Sequence, residues 1–271
     1  MLVLGAALLA RRWWEAAVAA AVVILLAAAV LPRAFPGQPM ASIADGVTYD
    51  VLTSNVRLGD GDAEALTELV AAWQVDLLSV QELTDDAAAR LRDAGIDELL
   101  PHRELSPTRV GSSGAGLYSR FPLERLEDVP GGISRQVHAV ADVPGVGDVE
   151  LVAVHPFPPI ESSVPRWLEG LEGLPRATSG RLRVLAGDFN STLDHAPFRD
   201  LVASGYVDAA AARGEGLVMT WPSGRKFPPQ VAIDHVLADE RIHVAAAAIH
   251  TVPDTDHRAV LARLQLPPGS G

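Results

Sequence analysis

Six segments of the chain run into polar residues of the types that phosphorus chemistry uses. The first ends at Asn55. Another ends at Gln81-Glu82, an acid placed directly after a buried-type apolar run. LVAV leads to His155, LRVLAG to Asp188-Phe189-Asn190, VAI to Asp234-His235, and PDT to Asp256-His257. Hydrolysis of a phosphoester drives water in line at phosphorus while negative charge builds on the outer and leaving oxygens. A hard divalent cation on oxygen ligands offsets that charge, a carboxylate orients and deprotonates the water, and preplaced donors hold the phosphoryl oxygens. Taken singly, each residue also has a plain structural explanation. Asn55 suits a turn at a strand end, and Glu82 suits the first turn of a helix. Gly187 to Asn190 suit a tight turn, Asp234 and Asp256 suit loop caps, and His155 suits the residue before a proline. Packing alone does not produce all six together.

These groups need elements to present them. Val47–Val56 reads as a strand, Asp62–Gln74 as a helix with Asp62 as N-cap, Val75–Val80 as a short buried strand, and Thr84–Ala94 as a second helix. Short strands follow within GAGLYS, SRQVHAVADV, DVELVAVH, RLRVLAGDF, VAIDHVLA, HVAAAAIH and HRAVLARLQL. There is no room for eight βα units. The pattern predicts an α+β domain, two sheets packed as a sandwich with helices outside, in four αββα layers. Strand alternation puts Asp234 and His235 on opposite faces, with His235 lining the back of the sheet. His102, His138, His195, His243 and His250 are expected on the surface or as satisfied core residues.

In order, TSNV, DLLSVQE, GAGLYSRFP, AVH, LAGDFN, Thr220-Trp221, IDHVL and DTDHRAV resemble the motifs of the endonuclease/exonuclease/phosphatase superfamily, over about residues 47–265. Val154 stands where the family usually has Thr, and Thr255 where it usually has Ser. The resemblance implies a metal-dependent phosphoesterase of a membrane-anchored bacterial type. It implies Mg²⁺, with Mn²⁺ as a substitute, held by Glu82 as primary ligand with Asn55 beside it and Asp256 as a second metal contact. Asp188 would activate water, Asn190 would hold the water or a phosphoryl oxygen, and His155 and His257 would donate to phosphate. Asp234 would be the carboxylate partner of His257. Family substrates include nucleic acids, inositol phosphates and lipids, and a fold does not choose among them. The loop after His155 and the loop 213–230 are the expected specificity elements. Arg57, Arg103, Arg109, Arg135, Arg225 and Lys226 are available for phosphate, each also explained as a solvated surface charge. The rival class is an inactive, displayed binding module on the same fold; the full residue set argues against it.

The N-terminus is a separate region. Residues 1–31 carry only Arg11, Arg12 and Glu15 as charges, and Trp13–Leu31 is an apolar run of 19 residues, just long enough to span a bilayer. Arg11 and Arg12 before the run, against Arg33 after it, put the N-terminal end in the cytoplasm and the body outside. A cleaved secretory signal is the alternative; ten apolar residues ahead of the arginines favour the anchor, as a single span or the remnant of a hairpin. Residues 32–44 read as a Pro-rich linker, 45–266 as the catalytic domain and 267–271 as a tail. Removing Arg11, Arg12, Arg33 and Glu15 from the 22 basic and 34 acidic residues leaves 19 against 33. So acidic a body argues against binding of nucleic acid by general phosphate neutralisation, while leaving open an enzyme that meets phosphate at one local site. Without cysteine, the chain has no disulfide, thiolate-bound zinc, iron–sulfur cluster or thiol nucleophile. A monomer acting on a phosphoester is expected.

Overall fold

The computed structural model describes residues 13–37, 42–133, 136–224 and 230–269. Among these residues, twelve strands form two six-stranded mixed sheets. The first has the order β11 (His243–Thr251), β12 (Arg258–Leu266), β1 (Val47–Asn55), β2 (Leu77–Gln81), β4 (Ala115–Ser119), β3 (His102–Ser106). The second runs β5 (Leu123–Arg125), β6 (His138–Val143), β7 (Gly147–Val154), β8 (Leu182–Asp188), β10 (Asp234–Asp239), β9 (Tyr206–Asp208). Each sheet has one central parallel pair, β1 with β2 and β7 with β8, and each pair is joined by a helical crossover. Its other strand pairs are antiparallel.

Alternation along the strands builds the layers. Tyr49 and Val51 of β1, Leu182, Val184 and Ala186 of β8, and Val236 and Ala238 of β10 face inward and fill the space between the sheets. Their neighbours Leu52, Leu185 and Leu237 face outward. On one side Leu52 meets α1 (Ala63–Trp73), α2 (Asp85–Asp93) and α3 (Ile96–Leu99) through Leu66, Val70, Leu91 and Ile96. On the other, Leu185 and Leu237 meet α4 (Val164–Glu172) and α5 (Ala196–Val202) through Trp167, Leu171, Phe198 and Leu201. The expected four layers are therefore present. Each fully buried Leu or Phe contributes about 1.5–3 kcal/mol to holding them.

The caps follow the sequence closely. Asp62 accepts from the backbone N–H groups of Glu64 and Ala65, and the Thr84 hydroxyl accepts from Ala87. The sequence reading does not anticipate β3, β5, β9, α4 or α5. The first three are short and only half apolar, and the Pro-rich start of the segment after His155 hides the helix that begins at Val164.

Among the described residues, one apolar helix, Trp13–Val30, lies ahead of the body and is continued by a 3-10 turn over Leu31–Ala34. At 1.5 Å per residue, its 18 residues extend roughly 27 Å. Most of its surface is exposed, including Ile24, Leu25 and Leu26. The segment that follows is not a free spacer. Arg33 donates to Asp194 Oδ1 (2.8 Å), Gly216 N–H to the Arg33 carbonyl (3.0 Å), and Gly37 N–H to the Ala212 carbonyl (2.9 Å).

Candidate active site

Topology gathers the polar residues at one edge of the sandwich. β1, β2, β7 and β8 end there, leaving Asn55, Glu82, His155 and Asp188 at or just beyond their carboxyl ends. Asp234 and His257 are not at strand ends. Asp234 opens β10 and His257 precedes β12. Because β10 runs antiparallel to β8 and β12 antiparallel to β1, these starts lie at the same edge as the other ends. Asn55, Asp188 and Asp234 share the parity of the inward residues of their strands, so they meet where the sandwich opens.

The contacts confirm the convergence across the two sheets. The Asn55 amide donates to Glu82 Oε1 and to Asp188 Oδ2, each at 3.2 Å. Glu82 Oε2 accepts from Leu58 N–H at 2.7 Å, and Asn55 Oδ1 from Arg57 N–H at 2.9 Å. His155 Nε2 lies 3.9 Å from Glu82 Oε1 and 3.8 Å from Asp188 Oδ2. Asp188 Oδ1 accepts from Asn190 N–H (2.8 Å), and the Asn190 amide donates to the Pro156 carbonyl (3.0 Å). Both oxygens of Asp234 lie 3.0–3.1 Å from His257 Nδ1, and His257 Nε2 is 3.9 Å from Asp188 Oδ2. Asp256 stands at the rim, with its carboxylate taking the Trp221 indole N–H at 3.0 Å and facing Arg57 Nε at 3.9 Å.

Two departures from the family pattern gain a physical meaning. Thr255 keeps the hydroxyl that a Ser would supply: it donates to the Asn55 carbonyl (2.8 Å) and accepts from His257 N–H (3.2 Å), tying the last motif to the first. Val154 has no hydroxyl to offer and instead packs into the outer core with Trp167 and Phe189. Thr220 fixes Asp234, its hydroxyl accepting from the N–H groups of Ile233 and Asp234.

The electrostatics separate the two histidines. Burial weighs against charge on His257, but the Asp234 charge and hydrogen bond, with Asp188 and Asp256, outweigh it and raise its pKa to about 10. Burial pushes His155 below the ordinary histidine value, against the pull of Asp188. At neutral pH the site thus holds one imidazolium and one neutral imidazole. Burial, together with the neighbouring Asp234 charge, moves Asp188 above the usual carboxylate range despite both histidines.

Backbone strain concentrates at the same place. Seven non-glycine residues among those described have positive φ, and four of them, Arg57, Leu58, Glu82 and Asn190, line the cleft. Such conformations persist where the surroundings over-determine them, characteristically at functional sites.

The oxygen-rich donor set, with no thiolate available, suits a hard divalent cation. Carboxylates outnumber the single imidazolium, so a cation relieves the remaining repulsion. Asp188, Asp234 and His257 are buried and bring oxygen and nitrogen atoms within 4.8 Å of one another; while His257 carries both ring protons it has no lone pair for a metal, so the carboxylates are what this group offers a cation.

The sequence model of the endonuclease/exonuclease/phosphatase family matches residues 52–257. The chain belongs to this family. Solved structures share its fold at low identity. An endonuclease/exonuclease/phosphatase from Beutenbergia cavernae DSM 12333 is 21% identical, with 81% of this chain and 72% of that one covered and a TM-score of 0.64. A family protein from Leptotrichia buccalis is 14% identical over 80% of this chain and all of its own, with a TM-score of 0.60. Truncated Caenorhabditis elegans TDP2 is 16% identical over 80% and 97%, with a TM-score of 0.58. No curated protein matches the sequence.

One residue of the cleft escaped the sequence reading. His195 lines the cleft with Thr192, whereas the sequence placed it among surface or satisfied core histidines. Its Nδ1 accepts from Thr192 N–H at 2.9 Å, and its ring meets Trp167 at 5.2 Å. The Asp194-His195 pair was the available signal. His235 does lie on the back of the sheet, between Asp208 (2.6 Å) and the Ser191 carbonyl (2.9 Å). Of the basic residues considered for phosphate, Arg57 lines the cleft, Arg103 pairs with Asp97, and Arg109 is exposed. Arg135, Arg225 and Lys226 lie outside the described residues, as do Arg11 and Arg12.

Proposed function

We propose that this chain is a divalent-metal-dependent phosphodiester hydrolase whose catalytic body lies outside the cytoplasm. The observation that carries the reading is the convergence of Asn55, Glu82 and His257 from one sheet on His155, Asp188 and Asp234 from the other. Glu82, with Asn55 beside it, would hold Mg²⁺, or Mn²⁺ in its place, and Asp256 at the rim would supply a second contact. When bound, the cation offsets charge on the phosphoryl oxygens.

The chain's own residues do the rest. Asp188, poised by burial and fixed by Asn190 N–H, accepts the proton of the attacking water. Asn190, its amide plane set by Pro156, orients the water or a phosphoryl oxygen. His257, held as the imidazolium by Asp234, directs Nε2–H toward the phosphoryl oxygens, and neutral His155 adds a second donor there. Arg11 and Arg12 ahead of the apolar helix support export of the body, whether the helix remains as a single anchor or is removed as a signal.

The test is hydrolysis by the purified full chain in detergent. The panel contains a nitrophenyl phosphodiester, DNA, RNA, an inositol phosphate and sphingomyelin, with Mg²⁺ or EDTA and with His257→Ala as control. Turnover that needs the metal and disappears in the control is the expected result. No turnover together with no divalent-ion binding overturns the reading in favour of a displayed binding module.

A further inference from the structure

The catalytic cleft, of about 600 Å³, has a polar floor and a mixed rim, where Arg57 and Asp256 stand among apolar side chains. Its walls and mouth carry Leu58, Ile133, Pro159, Ile160, Trp221 and Val231. Among the described residues, the body exposes six large hydrophobic side chains: Leu58, Trp73, Val110, Ile160, Val164 and Trp221. Leu58, Ile160 and Trp221 line this one cleft, and Ile160 is 63% exposed. Val164 lies four residues beyond Ile160, and Val110 lies two residues before Ser112, another cleft residue. Apolar surface gathered on one face marks an interaction site, whereas scattered single residues mark nothing.

A second, independent observation identifies what that face meets. The foot of the apolar N-terminal helix is fastened beside the cleft. Arg33 bonds to Asp194 and to the Leu193 carbonyl, within the loop whose flanking residues Thr192 and His195 line the cleft. Backbone bonds from Gly37 to Ala212 and from Gly216 to Arg33 hold the same junction. Exposed Leu31 and Phe35 continue the apolar surface from the helix onto the body. A helix embedded in a bilayer and docked in this way keeps the cleft edge at the membrane surface.

We infer that the mouth of the cleft rests on the bilayer holding the N-terminal helix and takes a phospholipid from it, with the phosphate over Glu82 and His257 and the apolar part against Ile160 and Trp221. This assignment of substrate class rests on the hydrolase reading above. Water's oxygen bonds to phosphorus, one ester P–O bond breaks, and the water's proton leaves through Asp188 while the departing alkoxide gains a proton as alcohol.

The absence of cysteine makes the placement directly measurable. In the full chain, Ile160→Cys and Asp148→Cys are each labelled with an environment-sensitive fluorophore and reconstituted into phosphatidylcholine–phosphatidylglycerol vesicles. Asp148 stands exposed at the start of β7, whose other end reaches the cleft edge, so it reports on the far end of the sandwich. The label at 160 is expected to shift to the blue and to be quenched by spin-labelled lipid, while the label at 148 remains in water. Equal exposure of the two labels overturns the proposal without touching the hydrolase reading. In the same vesicles, Ile160→Asp is expected to lower the ratio of phospholipid to nitrophenyl-diester turnover roughly tenfold or more, with Ile160→Leu restoring it. An unchanged ratio, or diester turnover without phospholipid turnover, overturns the proposal alone. Loss of both activities in the wild type overturns the hydrolase reading with it.

Discussion

Replacing Asp234 by Asn separates charge from shape at the centre of the site. The Asn side chain retains an oxygen for His257 Nδ1, but the negative charge 3.0 Å away is lost. In the wild type, burial opposes protonation of His257, and Asp234, with help from Asp188 and Asp256, reverses the outcome and brings the pKa to about 10. Relative to an ordinary histidine near 6.5, that preference for the imidazolium is worth roughly 5 kcal/mol. Without the Asp234 charge, burial is the largest remaining influence, and the ring is expected to lose its proton near or below neutrality. An NMR titration of the His257 ring in EDTA measures this directly: the wild type stays protonated through pH 8, and Asp234→Asn does not. Stability follows the same sign. A raised histidine pKa adds stability that is complete below about 6.5 and is lost as pH rises through about 10. The variant should therefore melt lower than the wild type by the widest margin near pH 6, with the gap closing toward pH 10. An Asp234→Asn ring that still titrates near 10, or a stability gap that widens with pH, refutes the reasoning.

Two further outcomes test other parts of the structure. Glu82→Gln removes a charge from the proposed cation site while preserving side-chain size; calorimetric titration should show weaker Mg²⁺ binding, and turnover should fall about 10²–10⁴-fold with the circular dichroism unchanged. Unaltered Mg²⁺ affinity would remove Glu82 from the ligand set. Gly187→Ala places a Cβ 2.0 Å from the Val154 carbonyl oxygen, inside the β7–β8 parallel pair. The two strands must separate to admit it, at about 3 kcal/mol or more, read as a lowered denaturation midpoint; a midpoint matching the wild type would contradict the close approach.

The glycine shows why the LAGDFN run is so legible. Each position answers a local demand: apolar Leu185 and Ala186 on alternate faces, Gly187 where a neighbouring carbonyl leaves no room, and Asp188 where the strand emerges. Alternation likewise sends His235 to the back of the sheet away from Asp234, because a pleated strand turns successive side chains to opposite faces. Hydrophobic periodicity and capping residues mark α1 and α2, whereas α4 is obscured because a helix that opens after a Pro-rich stretch has no apolar lead-in.

Local sequence, then, determines which residues end each strand, which face they take and which family they match, since these depend on a few neighbouring positions. Tertiary structure decides what depends on side chains brought together from different strands and sheets. The antiparallel return of β10 and β12 turns strand starts into members of a site built from strand ends. The packing of two sheets gives His155 and His257, the same residue type, opposite protonation preferences, because only His257 faces a carboxylate on its second nitrogen. The same packing brings His195 to the cleft and Arg33 to Asp194, contacts that no periodicity encodes because the partners meet only when the chain has closed.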